Sequence, residues 1–299
     1  MEDCTIASQS IERIIQPRVV ELGGSTVRRS LPATGLHAVG PWVFFDHMGP
    51  ADLAPGRGVD VIPHPHINLA TVSYLFEGQI VHRDSIGSVQ TITPGAINLM
   101  VEGRGIVHSE RTGPELRAAG HRLNGLQLWF ALPEDIEETE PAFYHYPEGD
   151  LPGKTIEGVR VRVLIGTAFG LHSPVKSFSP TLCAEADLLR GCVFSLPPEV
   201  QQRGICVVSG ALSFTDAEFA EHSMVVFKPG SEVSLKALQD SRIALIGGDP
   251  LGKRHMWWNF VSSSKERIER AKSGWSSGGF RMVTGETEFA PLPQRDANF

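Results

Sequence analysis

The chain predicts an all-β fold of two antiparallel β-barrel domains followed by one C-terminal helix, on three observations. Short apolar or alternating runs rich in valine, isoleucine and threonine are broken by glycine or proline roughly every 8 to 12 positions. The second half repeats the first: YLFEGQIV, with Gly78, answers VVSGALSF, with Gly210, and ITPGAINL, with Gly95, answers FKPGSEVSL, with Gly230. One late segment carries a complete helix signature.

From residue 17 to about 130 the strand-like runs are VVELGG, WVFFDHMGP, TVSYLFEG, QIVHRD, VQTITPG, INLMVEG and LQLWFALP. Residues 133–155, PEDIEETEPAFYHYPEGDLPGKT, then turn acidic and proline-rich. That shift predicts an N-terminal domain over 1–135, a linker over 136–156 and a C-terminal domain over 157–299. Strand-like runs resume with VRVRVLIG, CVFSL, GICVVSGALSF, MVVFKPGSEVSL and RIALIGG, ending near residue 248. In FVSSSKERIERAKSGW, Ser263 with Glu266 three residues on makes a capping box, and Ile268, Ala271 and Trp275 share one face. A helix over about 263–275 follows, with Trp257 and Trp258 expected to pack between it and the second barrel. Beyond Gly278-Gly279 the tail has charge and proline but no period, and reads as an extended arm.

Composition narrows the function classes. Among 299 residues, 34 acids stand against 27 bases, mixed along the chain without a basic run, which argues against direct nucleic-acid binding. Glu2, Asp3, Glu12 and Arg13 interrupt any apolar signal core, and no later run approaches a membrane span, so the expected location is cytoplasmic. Cys4, Cys183, Cys192 and Cys206 match neither a disulfide framework nor a zinc knuckle and read as reduced core thiols.

The chemistry sits in two pairs. Side chains two apart on a strand share a face, so His64 and His66 of VIPHPHINLATVSYLFEG can converge on one point inside a barrel. In GRGIVHSER, His108 and Glu110 have the same spacing, and the intervening hairpins can fold this strand beside the first. Three imidazoles and one carboxylate suit a divalent transition metal. Iron is most natural for oxygen chemistry, with zinc, nickel, copper and manganese also compatible. Four ligands on an octahedral ion leave two positions open, which is what a catalytic site requires.

The spacing Gly58-x5-His64-Pro65-His66-x4-Thr71-x6-Gly78 resembles the first cupin motif, with threonine where glutamate usually stands, and Gly105-x2-His108 resembles part of the second. More narrowly, HPHINLATVSYLFEG, PGAINLMVEGRGIVHSER, GLQLWFALP, FFDHMGP and the closing GGDPL with WWNFVSSSKERIERAKSGW are similar to signatures of the pirin family, its bacterial members in particular. The resemblance spans roughly residues 10 to 275. It implies a bicupin of two jelly-roll barrels whose N-terminal barrel holds iron, as Fe(II) or Fe(III), through His64, His66, His108 and Glu110. It also implies one of two activities. Some pirins open the flavonol quercetin with dioxygen; others are iron-dependent cofactors of transcription regulators or bind metabolic enzymes. The chain departs from the family at Ala70, where glutamate is frequent, with Asn68 and Thr71 the nearby polar groups, and at Asn124, where histidine is frequent.

Aligning the repeats sends His64 and His66 to Leu196 and Pro198, and His108 and Glu110 to Ile243 and Leu245, so the second barrel is expected to be metal-free. His82 in VHRD reads as a surface cross-strand residue, His47 as part of a structural turn, and His121, His145, His172, His222 and His255 as structural. Phe44, Phe45, Met100, Trp129 and Phe130 are candidates to line an aromatic pocket, or equally to fill the barrel core.

The leading expectation is a quercetin 2,3-dioxygenase-like oxidoreductase that takes a small aromatic substrate and dioxygen, with Glu110 accepting the substrate's hydroxyl proton. The alternative is a non-enzymatic iron-dependent redox sensor that binds a protein partner. A cavity of a few hundred cubic ångströms beside the metal favours the enzyme, and a site plugged by its own side chains favours the sensor.

Overall fold

The computed structural model describes residues 10–294, so Cys4 and the last five positions of the tail lie outside the described residues. The chain forms two compact units. The first comprises Val19–Pro32, Val43–Glu148 and the segment from Leu251 onward, and the second comprises the segment up to Arg18, Ala33–Trp42 and Gly149–Pro250.

In the first unit a seven-stranded antiparallel sheet runs in the order Ala142–Tyr146, Ile97–Val101, Leu69–Glu77, His121–Ala131, Trp42–Leu53, Ser25–Leu31, Arg18–Leu22. It faces a four-stranded sheet ordered Asp60–His66, Ile106–Arg111, Ile80–Asp84, Val89–Ile92. Val27, Met48, Leu75, Ile80, Ile92 and Leu123 fill one end of its interior. Polar residues collect at the other.

The second unit repeats this plan with the same division into seven and four strands. Its long sheet is Ile11–Ile15, Met224–Phe227, Gln202–Ser209, Ser241–Gly248, Thr181–Leu188, Val159–Ile165, Gly153–Ile156, and its short sheet Val193–Ser195, Ser234–Ala237, Ala211–Phe214, Ala217–Ala220. The repeat reaches the turns: Gly78 and Gly210 both take φ of +86°, and a Cβ at either would fall 2.5 Å from a backbone carbonyl oxygen, of Arg122 and Asp240 respectively. Where the first barrel carries its polar end, the second is hydrocarbon, with Leu196, Ile243 and Leu245 in its core. Cys183 and Cys206 are buried thiols there, and burial pushes Cys206 up to about 12; Cys192 is half-buried.

Three features depart from the expected boundaries. The acidic, proline-rich stretch is not a free linker. Ala142–Tyr146 extends the first long sheet beside Ile97–Val101, and Gly153–Ile156 extends the second beside Val159–Ile165. The chain ends are also exchanged. Ile11–Ile15 pairs with Met224–Phe227 in the second unit, while Phe260, Ile268, Ala271, Trp275 and Val283 pack against Ile67 and Val107 of the first. Trp257 and Trp258, expected between the helix and the second barrel, pack against that same cluster of the first unit. A helix's apolar face specifies that it will be covered, not by what.

The terminal helix runs Lys265–Ser276, one residue later than the capping box suggests. Ser262 and Ser263 donate their hydroxyls to Glu137 Oε1 at 2.9 and 2.7 Å, which leaves Ser264 as N-cap, its Oγ accepting from Arg267 N at 3.2 Å and donating to Glu266 Oε2 at 2.8 Å. Among the described residues, no helix is long and apolar enough to cross a membrane.

Candidate metal centre

The polar end of the first barrel is built on the four-stranded sheet. Asp60–His66 is its edge strand, which tolerates Pro63 and Pro65 because proline removes no needed ladder donor there. It pairs antiparallel with Ile106–Arg111 so that His64 stands opposite His108 and His66 opposite Ile106, with a bulge between His108 and Glu110. On the other side of Ile106–Arg111, Glu110 stands opposite His82 and His108 opposite Asp84.

The three imidazoles converge. Their ring centroids lie 4.9 Å (His64–His66), 4.4 Å (His64–His108) and 5.0 Å (His66–His108) apart, and one nitrogen from each falls within 4.8 Å of the others. All three are buried, and burial lowers each below the ordinary histidine value, well below for His66 and His108. Neutral imidazoles are the form that ligates a metal. His64 Nδ1 donates to the Ile62 carbonyl at 2.8 Å, while His66 Nδ1 and His108 Nε2 are buried without a hydrogen-bond partner. Unpartnered ring nitrogens aimed into a three-histidine cluster fit a borderline divalent cation.

Glu110 is buried beside them but outside that close group. Its Oε2 accepts from Gln127 Nε2 at 2.6 Å and its Oε1 from Ser73 Oγ at 3.3 Å. Thr71, at the position of the usual cupin glutamate, donates to Glu102 Oε1 at 2.6 Å. Burial raises the Glu102 carboxyl well above its ordinary value, with the hydrogen bond from Thr71 opposing. This chain thus buries an acid next to Thr71, where burial favours its neutral form.

His82 corrects the expectation drawn from sequence. It is 3 % exposed, stacked on Phe143 at 4.5 Å, with Nδ1 3.4 Å from Nδ1 of His108 and Nε2 3.1 Å from Oδ2 of Asp84. Burial pushes the Asp84 carboxyl up, but hydrogen bonds from His82 and Ser88 outweigh it and hold it below the ordinary value. The signal was present in VHRD, whose His82 and Asp84 have the same i, i+2 spacing as the ligand pairs. His47 lies not in a turn but within the strand Trp42–Leu53, where its Nε2 meets Asn124 Oδ1 at 2.9 Å.

A cavity of about 360 Å³ opens onto the cluster through His64, between Phe44, Trp129, Gln127, Arg29 and Trp258. Phe44 and Trp129 stack with centroids 3.8 Å apart, and Trp129 meets His66 edge-on at 4.9 Å. Arg29, unmarked in the sequence, lies 4.3 Å over the Phe44 ring and is bidentate to Asp46 at 2.8 and 2.9 Å. Phe45 and Phe130 are fully buried, and Met100, 2 % exposed, also lies outside the cavity lining.

The tail is tied to the ligand strands. Ala290 N donates to the carbonyl of Pro63, beside His64, at 2.8 Å, and Ser109, beside His108, donates to Glu286 Oε1 at 2.9 Å.

Two barrels on one plan, with histidines clustered in the first alone among the described residues, define a bicupin with one candidate metal centre. Comparison with known proteins narrows the class. The Pirin family profile matches residues 24–130 and the Pirin C-terminal cupin domain profile residues 183–281. A pirin-like protein of Caulobacter vibrioides is 44 % identical over 289 residues, covering 95 % of this chain and 100 % of that one. Pirin of Rattus norvegicus is 33 % identical, covering 83 % of this chain and 85 % of its own. The crystal structure of a quercetin 2,3-dioxygenase from Acinetobacter baumannii superposes with a TM-score of 0.86 at 31 % identity, covering 98 % of this chain and 99 % of that one. The chain belongs to the pirin family.

Proposed function

We propose that this protein is a mononuclear iron-dependent dioxygenase, cytoplasmic, acting on a flavonol or similar hydroxylated aromatic in the manner of quercetin 2,3-dioxygenase. The observation that carries the reading is the cavity of about 360 Å³ that reaches His64, since a site serving only as a redox reporter needs no such volume. The structural neighbour named quercetin 2,3-dioxygenase supports the same reaction class.

His64, His66, His108 and Glu110 would hold the metal, which supplies Lewis acidity and a redox couple for dioxygen chemistry. The chain's own residues do the rest. The stacked Phe44 and Trp129 rings present an aromatic wall to the cavity, suited to a planar substrate. Glu110, held at Oε2 by Gln127, would take up the proton of a substrate hydroxyl. Arg29, fixed in a bidentate ion pair by Asp46, holds its guanidinium over the Phe44 ring on the cavity wall and so steadies that aromatic surface.

The test is flavonol consumption by the iron-loaded protein, the metal-stripped protein and His64→Ala. Turnover in the first alone supports the reading, and full turnover after stripping overturns it.

A further inference from the structure

Of the three clustered imidazoles, His108 is the one hydrogen-bonded to another side chain. His64 donates Nδ1–H to the backbone carbonyl of Ile62, and His66 is hydrogen-bonded to the backbone at Asn259. His108 Nδ1 instead faces His82 Nδ1 at 3.4 Å, and His82 Nε2 faces Asp84 Oδ2 at 3.1 Å. The other Asp84 oxygen, Oδ1, accepts the backbone N–H groups of Ile86 at 3.1 Å and Ser88 at 2.8 Å, which fixes the carboxylate.

Donors and acceptors along this row fit in one way when His82 is neutral. An ionised Asp84 only accepts, so His82 Nε2 carries its N–H. His82 Nδ1 is then a bare lone pair, and His108 Nδ1 must be the donor that meets it. His108 is left with its lone pair on Nε2, the buried atom that has no partner within the protein.

We propose that His82 and Asp84 are a positioning pair that fixes the tautomer and orientation of His108, so that Nε2 faces the metal as a lone pair. Outer partners of this kind hold ligand histidines in many metal sites. For a neutral His82 the tautomer assignment follows from the protein's hydrogen bonds; its value to the metal rests on the proposed metal site.

Asp84→Asn separates the two. Its Oδ1 keeps the bonds from Ile86 and Ser88, while the group facing His82 changes from acceptor to donor. His82 then turns Nδ1 into the N–H, and His108 must move its own proton to Nε2. Nitrogen-proton NMR of the metal-free protein reads the tautomer directly, and chelator-competition titration with Ni(II), an air-stable probe, reads affinity. We expect Nδ1–H on His108 in the wild type and Nε2–H in Asp84→Asn, with Ni(II) bound about 10- to 100-fold more weakly by the variant. The unfolding midpoint of the metal-free protein falls only modestly, since the ionised carboxylate is lost while the Ile86 and Ser88 bonds remain; the tautomer switch is the readout that a merely structural role for Asp84 would not produce. His82→Phe keeps the stack on Phe143 without either hydrogen bond, and should lose the fixed tautomer and a similar share of affinity. Nε2–H on His108 in the wild type, or one tautomer in both proteins with equal Ni(II) affinity, overturns the proposal. A tautomer switch without Ni(II) uptake by the wild type overturns the metal reading and leaves the positioning pair standing.

Discussion

Gln127 donates through Nε2 to Oε2 of Glu110 at 2.6 Å, a buried hydrogen bond that leaves Oε1, held by Ser73 at 3.3 Å, as the carboxylate atom freer to meet a metal. Glu110→Gln should therefore weaken metal binding while leaving the barrel folded, because an amide still offers an acceptor and a donor to these neighbours. Isothermal titration of the metal-free protein measures it. Gln127→Leu should instead leave a buried carboxylate oxygen unpaired and destabilise the metal-free protein by about 1–3 kcal/mol, read by urea denaturation.

The buried acid beside Thr71 gives a pH-dependent outcome. Glu102 titrates well above its ordinary 4.5 in the folded protein and near that value when unfolded. The unfolded chain therefore releases this proton first, and stability falls as pH rises from about 4.5 toward the folded value. Glu102→Gln mimics the protonated form and still accepts from Thr71. Its melting temperature should exceed the wild type's at pH 8, with the gap closing toward pH 5. A difference that does not change over that range contradicts the assignment.

The terminal segment should matter to the site although it lies far off in sequence. Ile67, next to His66, bridges to Phe260, which is fully buried among Ile268, Trp275 and Val107. Phe260→Ala should cost about 3–5 kcal/mol in denaturant unfolding and lower metal affinity as well. Affinity at the wild-type value in the folded variant would show that the segment supports the barrel without setting the ligands.

Trp129→Leu removes half of the aromatic wall and the edge contact to His66. Flavonol KM should rise several-fold while metal content holds, as steady-state kinetics with elemental analysis would show. A fall in kcat at constant KM would place Trp129 outside substrate binding.

These predictions separate what was legible in the sequence from what was not. The barrels were legible because alternation and turn glycines such as Gly78 and Gly210 are local, and the three histidines because i, i+2 spacing fixes a common face on a strand. His82 was missed since VHRD alternates equally well facing out, and only its pairing with Ile106–Arg111, which sets Glu110 opposite it, decides the face. The acidic content of residues 133–155 concealed Phe143 and His145, which face Met100 and Asn98 across a strand pair. The exchange of chain ends was invisible for a related reason: Ile11–Ile15 and Phe260 show that they need covering, while the surface that covers them is set by tertiary contacts remote in sequence.

The central claim is that His64, His66 and His108 hold a metal that this cavity puts to work on an aromatic substrate. Oxygen uptake with quercetin, measured for iron-loaded wild type, chelated protein, reloaded protein and His108→Ala, tests it most directly. The account predicts one dioxygen consumed per flavonol, lost on chelation, regained on reloading and absent in His108→Ala. Uptake that survives chelation, or fully metal-loaded protein that consumes neither oxygen nor flavonol, would contradict it.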